Sequence, residues 1–214
     1  MSGPARPRAS ESPLRSALSA LADTVILGAL VLLASAPAVT CVLALAAAVA
    51  VVERRRDDQG DSVLTVFPRE LVRHGRRGIA VGAVVLAASG VVAVDVLFIV
   101  SESAGWQRVA VLAGAVLLGL AVAGTWVWAP LLLVHADGSA LDVIRLSVLL
   151  TFGRPLRTAT ALAAWVATLA AAVAFPPVVP VAVALTTHLV VTVCGHHLRH
   201  IARRSPQRAG LDRA

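Results

Sequence analysis

Eighteen of the nineteen arginines in this chain fall in four polar stretches, residues 1–23, 53–77, 135–157 and 196–214, and there is no lysine at all. Only Arg108 lies elsewhere, and the tracts between the stretches, 24–52, 78–134 and 158–195, are apolar. This alternation restricts the fold severely. Long apolar tracts joined by arginine-bearing segments fit a multi-pass membrane protein, in which the arginines mark the segments retained on the cytoplasmic side. If all four stretches lie on one side, the chain must cross an even number of times between each pair.

The composition agrees. At 214 residues the length suits one domain, and 58% of the residues are hydrophobic, above the ~45–50% of ordinary soluble domains. The net charge of +7 and pI near 11.4 do not point to nucleic acid. Nucleic-acid binding needs a basic face on a folded domain, with aromatic side chains on which bases stack. Here the arginines flank hydrophobic tracts and aromatics make up 4%, so the charge suits an anionic inner leaflet. Cys41 and Cys194 both fall in apolar tracts, where free thiols pack as small apolar groups; a disulfide framework would place its cysteines in water. Arginine without lysine, with abundant Ala and Val, suggests a GC-rich bacterial genome. Residues 24–33 resemble the apolar region of a signal peptide followed by Ala34-Ser35-Ala36. Pro37 after that site and apolar sequence to Val52 instead favour a retained segment.

The tracts divide into spans of about 16–36, 38–53, 79–100, 109–134, 158–175 and 177–195. A helix needs ~20 residues to cross the hydrocarbon core; the second span is short, and Glu53 and Arg54 would have to snorkel. Pro37 sits well at the first turn of a new helix, which predicts a tight hairpin there, with one long kinked helix as the alternative. Pro176-Pro177 divides the last tract in the same manner. Residues 1–15 and 205–214 read as cytoplasmic tails around a single transmembrane domain, 16–204. Two stretches carry apolar residues at helical spacing among arginines: Leu64, Phe67, Leu71 and Val72 near Arg69, Arg73, Arg76 and Arg77, with Pro68 marking the start of regular helix, and Leu141, Ile144, Val148 and Phe152 near Arg145, Arg154 and Arg157. Both are expected as cytoplasmic interfacial helices, apolar side down. Gly114, Gly119 and Gly124 would permit close helix approach, while Thr186, Thr187 and Thr192 suit bonds between helices. The expected fold is all-α: a polytopic membrane bundle of six spans in three hairpins, both termini cytoplasmic, with five spans and an outside N-terminus as the alternative.

Few residues carry chemistry. Asp95 stands among Val91–Val94 and Val96–Phe98, and an acid at the centre of a span costs about 2.5–3.5 kcal/mol on insertion scales. It would serve as a proton or cation site, or merely snorkel toward the outer end. His188, His196, His197 and His200 cluster near the end of the last span, with His196 and His200 one helical turn apart. No carboxylate completes a ligand set, and no metal is expected. Pro37 and Thr40 flank a helix break of the kind that exposes backbone polar groups at membrane depth; the plainer reading is a hairpin whose freed carbonyls Thr40 satisfies. No phosphate loop, Ser-His-Asp set or carboxylate pair is present, so neither a catalytic residue nor a cofactor is expected.

The order of these features resembles a known family. An apolar helix ending in Pro37-x-x-Thr40 leads to an Ala-rich helix and a charged inner loop with Phe67 before a basic run. A span bearing Asp95 follows, then one ending Trp126-Val-Trp-Ala-Pro130-Leu-Leu, and a surface helix before the last spans. Over roughly residues 17–204 this resembles the YesL-like (DUF624) family of small bacterial integral membrane proteins. The resemblance implies an inner-membrane protein often encoded beside sugar-uptake and polysaccharide-breakdown systems, with no established activity and no catalytic residues to carry over. The chain departs from that aromatic-rich pattern in having no Tyr, which weakens any aromatic sugar platform. The expected role is a non-enzymatic accessory component of carbohydrate uptake, with the anionic bilayer, sugar ABC transporter subunits and a second copy of the chain as candidate partners. The alternative is a small-solute or proton-coupled transporter using Asp95.

Overall fold

A computed structural model describes residues 13–56, 62–101, 106–136 and 138–195. Residues 1–12, 57–61, 102–105, 137 and 196–214 lie outside the described residues, and with them His196, His197 and His200. All regular structure among the described residues is helical. The helices are α1 (Pro13–Ala34), α2 (Cys41–Arg56), α3 (Val63–Ser101), α4 (Trp106–His135), α5 (Ala140–Gly153), α6 (Pro155–Ala174) and α7 (Val179–Val190). Five segments are long and apolar enough to cross a membrane: Ala17–Ala34, Val63–Ile99, Val111–His135, Pro155–Ala174 and Pro176–Cys194.

The apolar segment left out of that set, α2, is the centre of the molecule. Its 16 residues rise about 24 Å, less than a spanning helix needs. Residues 42–52 are all buried, and α1, α3, α4 and α7 pack around it. An apolar surface on every side is what a helix enclosed by protein requires. Alanines at 44, 46, 47, 48 and 50 let its neighbours approach closely.

The chain enters α2 through the hairpin that Pro37 predicts. A short 3-10 turn, Ala38–Thr40, follows Pro37, which is itself extended at φ −77° and ψ 115°. Arg55 near the end of α2 reaches Asp23 in α1, so the two helices run antiparallel and a single kinked helix is excluded. Helix α1 begins at Pro13, inside the expected tail. At the far end, α6 and α7 fold back on each other through a 3-10 turn, Pro176–Val178, and the hydroxyls of Thr168 and Thr186 bond between them. Thr192 also bonds between helices, whereas Thr187 donates to Val183 in its own helix.

The middle of the chain departs from expectation. Residues 64–77 are not a separate interfacial helix; they continue without a break into the span, and α3 runs 39 residues. At 1.5 Å per residue that is ~58 Å, more than the ~40–45 Å of a whole bilayer. Pro68 therefore lies inside the helix, which starts at Val63 with the Ser62 carbonyl accepting from the amides of Thr65 and Val66. The buried stripe is Val63, Val66, Phe67, Glu70, His74, Val81 and Val85, while Leu64 and Val72 face outward. Packing against α2, rather than a bilayer surface, sets that register.

Helix α5 packs through small side chains. It buries Val143, Ser147 and Thr151 against α4 and exposes Leu141 and Phe152. The cause is close approach: a Cβ on Gly124 of α4 would lie 2.0 Å from Thr151 Oγ1, so only small side chains fit between the helices. A medium of lipid imposes no penalty on large apolar groups facing outward. Gly114 and Gly119 serve no comparable contact: nothing approaches the first, and Val92 lies 3.8 Å from a Cβ on the second. A Cβ would run into backbone at Gly28, 1.8 Å from the Pro180 carbonyl oxygen, and at Gly82, 2.0 Å from that of Val39.

Candidate functional site

The last four residues of α2, Glu53-Arg54-Arg55-Arg56, each hold a different helix. Glu53 Oε2 lies 3.1 Å from His135 Nε2 at the end of α4. Arg54 Nη2 donates to Glu70 Oε1 of α3 at 2.6 Å, and Arg55 Nη2 meets Asp23 Oδ2 of α1 at 2.6 Å. Arg56 donates to Thr192 Oγ1 in the π-helical turn, Val191–Gly195, that continues α7. The geometry follows from helix pitch. Successive side chains step 100° around the axis, so four of them fan around nearly the whole circumference, and only a helix surrounded on all sides can use each one.

Secondary contacts brace this clamp. Glu70 is almost fully buried and also faces Arg73 at 3.7 Å and His74 Nε2 at 3.4 Å. A carboxylate buried to that degree requires such partners. Arg77 Nη2 donates to the Ala136 carbonyl at 2.8 Å, covering the open end of α4. His135 Nδ1 lies 2.8 Å from the Leu131 carbonyl, so both ring nitrogens face oxygen atoms. Arginines in the last turn of α2 also suit the negative end of its dipole.

Parts of three of the four arginine-bearing stretches are therefore joined. Asp23, residues 53–56, Glu70 to Arg77, and His135 to Ala136 are joined by direct contacts.

The residues singled out from sequence do not gather there or anywhere else. Asp95 is half-buried on α3 among exposed Val94, Val96 and Leu97. It lies beyond Gly82, the point of closest approach to the Pro37 turn, by ~20 Å along the helix. Thr40 Oγ1 lies 2.5 Å from the Ala34 carbonyl oxygen and 2.7 Å from that of Pro37, so the hydroxyl serves the hairpin. Pro37 is exposed. His188 is half-buried on α7, near Arg55 and Arg56, at the edge of the clamp. Among the described residues no three His, Cys, Asp or Glu side chains are placed to share a metal ion.

Glu53 and Glu70 are the residues that sequence reasoning passed over. The signal for Glu70 was available: an acid at a core position of the stripe Val63-Val66-Phe67-Glu70-His74 demands a buried cation. Outside the clamp, Ser139 and Asp142 form a capping box at the start of α5, also legible as Ser-x-x-acid. The hydrogen bonds from the Ser139 hydroxyl and amide hold the Asp142 carboxyl below its ordinary range.

No family model, curated protein or solved structure matches this chain.

Proposed function

We propose that the chain is a multi-pass bacterial inner-membrane protein with both termini in the cytoplasm, acting as a non-enzymatic accessory component of a carbohydrate-uptake system. The carbohydrate association follows from the resemblance to the YesL-like family. In this reading α2 makes a sixth, protein-enclosed crossing in addition to the five apolar helices. Three hairpins bring the arginine-bearing segments to the cytoplasmic side, where they meet anionic lipid.

The observation that carries the proposal is the surface beside the clamp. Arg69, Val72, Arg73 and Arg76 of α3 are exposed, Val72 at 81%, on a helix whose opposite face is fixed by Glu70 and His74. A rigid basic face with an apolar residue at its centre suits a partner subunit better than a substrate. The test is charge reversal at Arg69 and Arg76 to Glu. The proposal expects loss of copurification with the sugar-transporter subunits and a matching fall in sugar uptake, with the protein still inserted; retention of both contradicts it.

The second reading, a transporter, rests on Asp95, which has no hydrogen bond or ion pair with a described residue. Asp95→Asn separates the two. The transporter reading requires loss of uptake, and the accessory reading requires uptake and copurification to persist.

A further inference from the structure

A lateral cavity of about 520 Å³ opens among α1, α2, α4, α6 and α7, within the range of small-molecule sites. Apart from Ser35, Cys41 and two indole rings, its lining is aliphatic. Its rim includes Leu32 of α1 and Val166 and Leu169 of α6, all exposed, the last two at 64% and 65%. These rim residues belong to segments apolar enough to span a bilayer, Ala17–Ala34 and Pro155–Ala174. The medium outside the mouth is therefore hydrocarbon. Toward the clamp the cavity ends at Trp126 and Trp165, beyond which only a void of about 10 Å³ remains, bordered by Thr187 and Val190.

Water does not suit this space, because a buried water needs two to four polar partners. An empty cavity would leave the whole lining without dispersion contacts on one side. The Ser35 hydroxyl on this wall is enclosed, beside the Cys41 thiol. Ser35 directly follows the last residue of α1, and at the end of a span the polar linkage of a lipid, not its tail, is at hand.

We propose that this cavity is a site for one acyl chain of a bilayer phospholipid, which enters between α1 and α6 with its ester linkage at the level of Ser35. The site depends on the helices lying in a bilayer and not on any transport partner, so it stands or falls separately from the accessory role.

Tryptophan fluorescence reads the site directly, since Trp126 lines the cavity and Trp128, two residues away, is 1% exposed and bonded to Thr158. Full-length variants retaining only Trp126 or only Trp128 would be placed in vesicles of phosphatidylcholine brominated on its acyl chains. The expected result is strong quenching of Trp126 and at least about threefold less of Trp128. Ala123→Phe, which fills the cavity, should reduce Trp126 quenching to the Trp128 level. The unaltered chain should retain phospholipid after detergent washing, measured by native mass spectrometry, and Ala123→Phe should retain less. Equal quenching of the two tryptophans overturns the proposal. So does loss of all phospholipid from the unaltered chain on washing, a result independent of whether Ala123→Phe folds.

Discussion

The two ends of α3 obey different rules. From Val63 to Val85 it lies against α2, buries a stripe that includes Glu70 and His74, and ties into the clamp. From Leu86 to Phe98 nearly every side chain is exposed or half-exposed. There it faces α4, with Val92 near Gly119 and a 3.4 Å bond from Trp126 Nε1 to Ser89 Oγ. The first half is organised as a soluble protein core is, with buried charge satisfied by opposite charge. The second half is organised for lipid, where apolar exposure costs nothing and helices associate weakly. Stability and specificity should therefore concentrate at the arginine-bearing end.

Two glycines test this contrast most sharply. Gly82→Ala should destabilise by more than about 3 kcal/mol, the range of gross steric overlap, because its Cβ meets backbone at 2.0 Å. Gly90→Ala, on the same helix with nothing within 4 Å, should instead stabilise by about 0.5–1 kcal/mol, the helix-propensity difference. Unfolding in mixed micelles measures both, and equal effects would erase the distinction between the two halves. Between these extremes lies Glu70→Ala. Breaking a buried ion pair costs ~3–5 kcal/mol; Arg54 remains 29% exposed, so about 2–3 kcal/mol is expected here. Asp95→Asn, in the lipid-facing half, should change stability by less than about 0.5 kcal/mol.

The smallest effect is a pH dependence. Asp142 has its pKa lowered in the fold by hydrogen bonds from Ser139. A depressed carboxylate contributes stability above its unfolded value and loses it as pH falls through the folded one. The amide protection factor in the first turn of α5, taken against the intrinsic exchange rate at each pH, should therefore fall below about pH 4 and be indifferent to pH between 5 and 8. Ser139→Ala should remove that acid sensitivity.

Sequence pattern alone made the helical class, the Pro37 hairpin and the Pro176-Pro177 hairpin legible, because proline and tract length act locally. It did not show that the first half of α3 packs on α2, with Phe67 turned inward. In water the larger apolar residues mark the core, but beside lipid they mark the outside, and the contact side of α5 is recognised by its small residues Ser147 and Thr151. The clamp was less legible still. Glu53-Arg54-Arg55-Arg56 reads as a solvated charge run, and only the enclosure of α2 by four helices gives each side chain its own partner. Asp95 drew notice as an acid in an apolar tract, yet the acid enclosed by the fold is Glu70, hidden in a stretch whose arginines made an acid unremarkable.

The central claim is that the arginine-bearing segments share one side of the membrane. Single cysteines at Ser10, Ser62, Ser103 and Ser205, in a chain with Cys41 and Cys194 replaced by Ala, test it with a membrane-impermeant maleimide on intact cells. The account predicts labelling at Ser103 alone until the cells are lysed, and at the other three afterwards. Labelling of Ser10, Ser62 or Ser205 from outside would contradict it.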